Sequence, residues 1–280
     1  MRTADQNAIK RDNIGNIFDA LRHGERTRSE LSAVTGLSLM TIGKTVDLLT
    51  DAGLTTQQKI RAASAGRSSL SCRIADRAML VYDLSDGMSV SSVDILTNIK
   101  SKYSTDRENF ALTAAEAFFD ASKDGDLIGR GLILPDKAPD EAARLFAALE
   151  PNRPDTTLTR TKAAALAACS DEPIGVFISV SDTLDVISGA VTADSQLLGG
   201  LFAKTDFARL GAPESVIDAA EALLSPAVIR VWSPPEAAEK LRGRLTSPTK
   251  LEFLTDPDLP IRGAAKLLIS KRLDALSRLP

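Results

Sequence analysis

Residues 27–54 read TRSELSAVTGLSLMTIGKTVDLLTDAGL. Two short helical patterns meet at Gly36 within this stretch. Thr27 followed three residues later by Glu30 is the signature of a capping box, which satisfies the free amides at a helix start. Gly36 stands just past the first pattern, where a left-handed residue closes a helix. Ser38 is then placed to cap the next helix through its hydroxyl. A helix of about seven residues, a tight glycine turn and a longer helix form a helix-turn-helix layout.

Working outward, the apolar positions fall into three sets. They are Ile14, Ile17, Phe18 and Leu21; then Leu31 and Val34; then Ile42, Val46 and Leu49. Each follows the i, i+3, i+4 spacing of an amphipathic helix. With Ile42, Val46 and Leu49 inward, Leu39, Met40, Thr41, Lys44 and Thr45 are expected on the outer side. A recognition helix enters the major groove by its N-terminal end. There Thr41 can bond a base edge or phosphate, Met40 can meet a thymine methyl, and Lys44 can reach guanine or phosphate. Arg28 is expected to clamp a phosphate. Gly43 removes side-chain bulk at a helix cost of roughly 1 kcal/mol. Any three-helix bundle shows the same periodicity, so the spacing alone does not separate a DNA reader from a plain bundle.

After the helices, AASAGRSSLSC (62–72) is small and polar and reads as a hairpin or wing. Charge follows the same division. Residues 1–73 hold 11 Lys/Arg against 7 Asp/Glu, net +4, and the remainder holds 23 against 30, net −7. A basic head on an acidic body suits a head that meets a polyanion. With 280 residues and 44% hydrophobic content the chain can build a sizeable core. It has no run of about eighteen apolar residues and no signal-peptide core, so a cytoplasmic protein without a membrane span is expected. Cys72 and Cys169 match no metal spacing, and His23 is the single histidine, so neither a metal nor a cofactor is expected.

Beyond residue 75 the patterns alternate. AMLVYDL, SVSSVDIL, GRGLILP, GVFISVS, DVISGAVTA and AVIRVWS read as strands. ENFALTAAEAFFDAS, DEAARLFAALE, TRTKAAALAAC, ESVIDAAEALL and IRGAAKLLISKRLDAL read as helices. The expectation is an α/β body with a mixed sheet.

The head motifs NIGNIFDALRHG, TRSELSAVTGLS, TIGKTVDLLTDAGL and AGRSSLS together resemble the N-terminal domain of the ROK family, the repressor, open-reading-frame and sugar-kinase family. The resemblance implies a winged helix-turn-helix over 1–75 and a degenerate sugar-kinase-like domain over 76–280, of the actin-like (ribonuclease H-like) α/β kind. In the family's repressors a Gly-Arg-Pro follows the wing. Gly66 and Arg67 match its first two positions, and Ser68 replaces the proline. An Arg beside a Gly suits a narrow A·T minor groove. The implied DNA contacts are therefore Arg28, Ser38, Met40, Thr41, Lys44, Thr45 and Arg67.

The body resembles the family in order but departs from it at its chemistry. AMLVYDLSDG aligns Asp83 with the family's first-strand Asp, while Leu84 and Ser85 fill the turn that should be Gly-rich. TRTKAAALAAC resembles the block that carries the family's catalytic base, and here Arg160 and Lys162 replace the acidic and amide residues. An Arg cannot accept a proton at neutral pH. LIGRGLILPD has Asp136 where a Gly is usual. DVISGAVTADSQLLGG keeps only Gly189, Asp194 and Gly199-Gly200 of a Gly-rich phosphate region. Residues 201–216 lack the His and the Cys cluster of the family's zinc loop. The body's closing helix, IRGAAKLL, resembles the family's Gly-Ala-Ala helix.

The resemblance in the head and the lost motifs in the body together imply a DNA-binding regulator, a repressor, that acts as a homodimer on a palindromic operator and lacks kinase activity. Its body either senses a small sugar-derived or anionic effector, with Asp83, Arg160 and Lys162 as candidate contacts, or serves only to dimerise. Two cations at a helix start favour an anion; against this, Asp155 is expected to pair with Arg160 at the surface. A second reading is a small-molecule or protein-interaction module of the same fold that does not touch DNA.

Overall fold

The structure is a computed structural model. It describes residues 2–61, 68–123, 125, 127–137, 139–149, 153–169, 171–181, 186–193, 196–198 and 213–279. Three helices open the chain: α1 (Arg2–Arg22), α2 (Arg28–Thr35) and α3 (Leu39–Asp51). A hairpin of β2 (Thr55–Arg61) and β3 (Ser68–Ile74) follows, and the short β1 (Arg26–Thr27) pairs antiparallel with β3. Of the apolar residues that set the helical spacing, Ile14, Ile17, Phe18, Leu21, Leu31, Ile42, Val46 and Leu49 are buried. Val34 is not: it is 59% exposed, because it sits on the edge of a short helix whose buried stripe is reduced to Leu31.

Two five-stranded sheets make the rest. The first contains β4 (Ala78–Asp83), β5 (Met88–Asp94), β6 (Ile99–Thr105), β7 (Arg130–Leu134) and β8 (Thr156–Thr159), in the order β6-β5-β4-β7-β8. The second contains β9 (Ile174–Val180), β10 (Val186–Ala193), β11 (Gln196–Leu197), β12 (Val228–Trp232) and β13 (Lys250–Leu254), in the order β11-β10-β9-β12-β13. The two orders are the same permutation of their own strands. In each, the first three strands pair antiparallel as a meander, the fourth joins the first in parallel, and the fifth joins the fourth in parallel. Parallel joins need helical crossovers. These are α4 (Phe110–Ala121) and α5 (Pro139–Leu149) in the first half, and α7 (Pro213–Leu224) and α8 (Pro235–Arg242) in the second.

The halves meet at α6 (Arg160–Cys169) and α9 (Leu259–Ser277). α6 packs on β9 and β10, and α9 packs on β4, β7 and β8. The two helices lie so close that a Cβ on Gly263 would stand 1.7 Å from the carbonyl oxygen of Ala163. Only glycine permits that approach.

The opening helices are not set apart from this body. One continuous hydrophobic cluster holds Ile17, Leu21, Leu31, Val46 and Leu49 together with Met79, Val93, Ala264, Leu268 and Ile269. α1 packs along α9. Lys10 Nζ donates to the carbonyl of Leu279 at 2.7 Å, and the Ala75 amide donates to the Leu54 carbonyl at 3.0 Å. Among the described residues no helix is long and apolar enough to cross a membrane.

Candidate functional site

The capping chemistry read from residues 27–54 is present. The Thr27 amide donates to Glu30 Oε2 at 2.7 Å, and the Glu30 amide donates to Thr27 Oγ1 at 3.2 Å. The backbone bond from Thr27 holds the Glu30 carboxyl below the usual carboxylate range. Gly36 closes α2 at φ 71°. The Thr41 amide donates to Ser38 Oγ at 3.2 Å, and the two hydroxyls lie 2.9 Å apart. These local bonds fix the turn between α2 and α3 and so set which side of α3 looks outward.

On that side Met40 is 72% exposed and Leu39 59% exposed, with Ser38 and Lys44 also exposed and Thr41 half-buried. The Thr45 expectation is corrected: it is only 8% exposed. One turn beyond Thr41, it lies where α1 covers α3, in a shallow groove of about 290 Å³ lined also by Lys10, Asn13 and Lys44. Arg28 is committed inside the molecule. Its guanidinium donates to Asp47 at 2.6 Å and to Gln57 at 2.8 Å, and Gln57 in turn donates to Asp47 at 3.0 Å. This triangle braces α2, α3 and β2 against each other. It also explains Gly43: a Cβ there would be 3.2 Å from the Arg28 guanidinium. Gly66 and Arg67 lie outside the described residues.

A second candidate region lies between the two sheets. Asp136, just past β7, accepts from the Thr161 amide at 3.2 Å, from Thr161 Oγ1 at 2.7 Å and from Ser188 on β10 at 3.2 Å. Thr161 and Ser188 also bond each other through their hydroxyls. One carboxylate thus caps α6 and ties it to both sheets. The sequence marked Asp136 only as a replacement for Gly; the signal for its role was the free amides at the start of α6, a helix with no acidic residue in its first turn.

Arg160 does not pair with Asp155, contrary to expectation. Asp155 turns back to accept from the Arg130 amide at 2.7 Å. Arg160 instead reaches across the cleft, donating to Asp86 at 3.1 Å with its guanidinium 4.9 Å from the centre of the Trp232 ring. Both contacts line a cavity of about 570 Å³ with Ser179, Ser233 and Pro234. Lys162 is exposed on another side of α6, and Asp83 accepts from the amide and hydroxyl of Ser85 at 2.8 and 2.6 Å. Neither lines the cavity. The three candidate effector contacts are therefore not gathered into one site; Arg160 alone enters the cleft. Cys72 and Cys169 are buried, and burial pushes both thiols up, which makes them poor nucleophiles.

No family model and no curated protein matches the chain. Solved structures do. A ROK family transcriptional regulator, a homolog of the E. coli MLC protein, is 16% identical with a TM-score of 0.60, over 96% of this chain and 98% of that one. A ROK family protein from Streptococcus pneumoniae TIGR4, solved in complex with sucrose, is 12% identical with a TM-score of 0.48, over 69% of this chain and 98% of its own. An inorganic polyphosphate/ATP-glucomannokinase from Arthrobacter sp. strain KM is 16% identical with a TM-score of 0.47, again over 69% and 98%. The chain therefore shares the fold of that ROK family transcriptional regulator along nearly its whole length.

Proposed function

We propose that this protein is a DNA-binding transcriptional regulator, acting as a repressor, in which residues 1–75 form a winged helix-turn-helix and residues 76–280 a sugar-kinase-like body without kinase activity. The observation that carries the reading is the outward N-terminal half of α3. Leu39 and Met40 are large apolar residues left in solvent beside Ser38 and Lys44, while the opposite face of the same helix is fully buried. Exposed apolar and basic groups at a helix start suit thymine methyls, guanine edges and phosphates. Arg67 is proposed to reach the minor groove. Arg28 and Thr45 support the interface from behind: Arg28 through Asp47 and Gln57, Thr45 through its packing under α1.

The body is proposed to dimerise, so that two heads meet the half-sites of a palindrome, and to hold a small effector, sugar-derived or anionic. Loss of phosphoryl transfer is supported by the cleft: Arg160 occupies the position of the family's base, and the nearby Asp136 has its oxygens taken by Thr161 and Ser188.

Band-shift titration against the DNA upstream of its own gene tests the reading. Binding should weaken steeply with salt, because phosphate contacts release counterions. Lys44→Ala should lower affinity by about 1–3 kcal/mol if the side chain reads a base. Unchanged affinity and unchanged sequence preference would remove Lys44 from the interface, and no sequence-selective binding at low salt would sink the reading.

A further inference from the structure

The cavity between the sheets has a chemistry of its own. Its one cation, among the described residues that line it, is Arg160. That guanidinium is held in place by the Trp232 ring and, among the described residues, has a single hydrogen bond, to Asp86. Asp86 is 75% exposed in its side chain and Arg160 30% exposed, so the pair is a screened one that a better partner displaces at little cost. Beside it Ser233 is 5% exposed, and its hydroxyl has no hydrogen-bond partner among the described residues. A buried hydroxyl without a partner is rare and costs its full desolvation penalty. Ser91 and Thr156 carry such hydroxyls too, but of the three only Ser233 lines this cavity, where an incoming ligand could satisfy it.

The remaining wall narrows the class of ligand. Pro234, Pro235, Pro257 and Val180 line the cavity with Trp232, and Ser179, Ser181 and Thr255 add hydroxyls. Prolines carry no N–H. The apolar surface outweighs these hydroxyls, so a ligand that is polar all round, a polyol or a bare phosphate, would leave most of the wall without a matching partner. A planar carboxylate, by contrast, matches the two-pronged face of an arginine.

We propose that the cleft binds a small monocarboxylate with a compact apolar body, its carboxylate paired to Arg160 in place of Asp86 and hydrogen-bonded by Ser233, its body against the three prolines. This names the chemistry of the effector within the proposed regulator. Asp86 then acts as the stand-in anion whenever no ligand is bound, and the ligand exchanges a solvent-exposed carboxylate for its own.

The test uses the free full-length protein without DNA, so its failure and the failure of the DNA-binding reading are separate results. Calorimetric titration and thermal shift would be run with benzoate and cyclohexanecarboxylate, with benzamide as the neutral isostere, and with glucose and inorganic phosphate. The carboxylates should bind and benzamide, glucose and phosphate should not. Arg160→Ala should weaken benzoate about tenfold or more, and Ser233→Ala by several-fold. Asp86→Asn should tighten it, since the internal competitor is gone; this variant keeps the Arg160 and Ser233 groups and guards against a misfolded Arg160→Ala. Equal binding of benzoate and benzamide, binding of glucose or phosphate instead, benzoate affinity indifferent to both Arg160→Ala and Asp86→Asn, or no carboxylate bound at millimolar concentration would each overturn the proposal.

Discussion

Gly263→Ala isolates the contact on which the two halves turn. In an ordinary helix the change is favourable by about 1 kcal/mol, since alanine loses less backbone entropy. Here the added Cβ would stand 1.7 Å from the Ala163 carbonyl oxygen and 2.6 Å from its carbon. Side-chain carbons do not come within 3.0 Å of such atoms, and a backbone carbonyl cannot rotate away, so α9 must retreat from α6 by roughly 1.3 Å. The helices are buried there by Ala163, Ala164, Ala264 and Ala265, all 0% exposed. Small residues have no flexible ends to refill the gap. Overpacking of a tight core costs about 1–3 kcal/mol, and a backbone obstacle places this site at the upper end. With the propensity gain subtracted, a net loss of about 2 kcal/mol is expected. For a chain of 280 residues that is a fall of roughly 3–4 °C in Tm. Urea unfolding followed by circular dichroism, read at an unchanged slope, measures it. Gly15→Ala is the control: a Cβ there meets nothing within 4 Å, so α1 should gain up to about 1 kcal/mol. A Gly263→Ala protein as stable as the parent would refute the packing argument.

Two further outcomes rest on local chemistry. Thr27→Ala removes the capping hydroxyl of α2 and should cost about 1 kcal/mol, seen as earlier loss of amide protection in residues 28–31. A uniform loss of protection along the whole chain, with no earlier exchange in α2, would count against a local cap. Lys266, on α9, lines a groove shared with α1, and its ammonium is disfavoured mainly by burial, so its folded pKa is below the ordinary 10.5. The unfolded state then binds more protons between those two values, and stability rises with pH across that window. Lys266→Met should be more stable than the parent at neutral pH and lose its advantage as the pH approaches 10.5; an advantage independent of pH would assign the effect to packing alone.

The parts legible in the sequence were those fixed by neighbours. Thr27, Glu30, Gly36 and Ser38 act within three or four residues, so their bonds could be read from spacing. The paired edges of the helical stripes were not legible. Val34 and Thr45 both fit a periodicity, but only the placement of α1 decides that Thr45 is covered and Val34 is not. The strand β6, written IKSKYST, carries alternating polar residues on a sheet edge, and β8, α8 and β13 are short; none offers enough hydrophobic signal to be read alone. The cleft was the least legible. Arg160 meets Asp86 and Trp232, each more than seventy residues away, and the sequence offered Asp155 as a nearer partner. Missing motifs showed which chemistry was gone; they gave no sign of the contacts that replaced it.

The shared core of head and body has a mechanical consequence. A reading head on a flexible tether can swivel to meet half-sites at several separations. This head is welded at its root by Ile17, Leu21 and Val46 to Met79 and Leu268, with α1 laid along α9. If the chain reads paired half-sites as proposed, one extra base pair between them moves the second by about 3.4 Å and turns it by roughly 34° around the duplex. Such a joint has no slack to follow that turn, so the double helix, and not the protein, would have to twist.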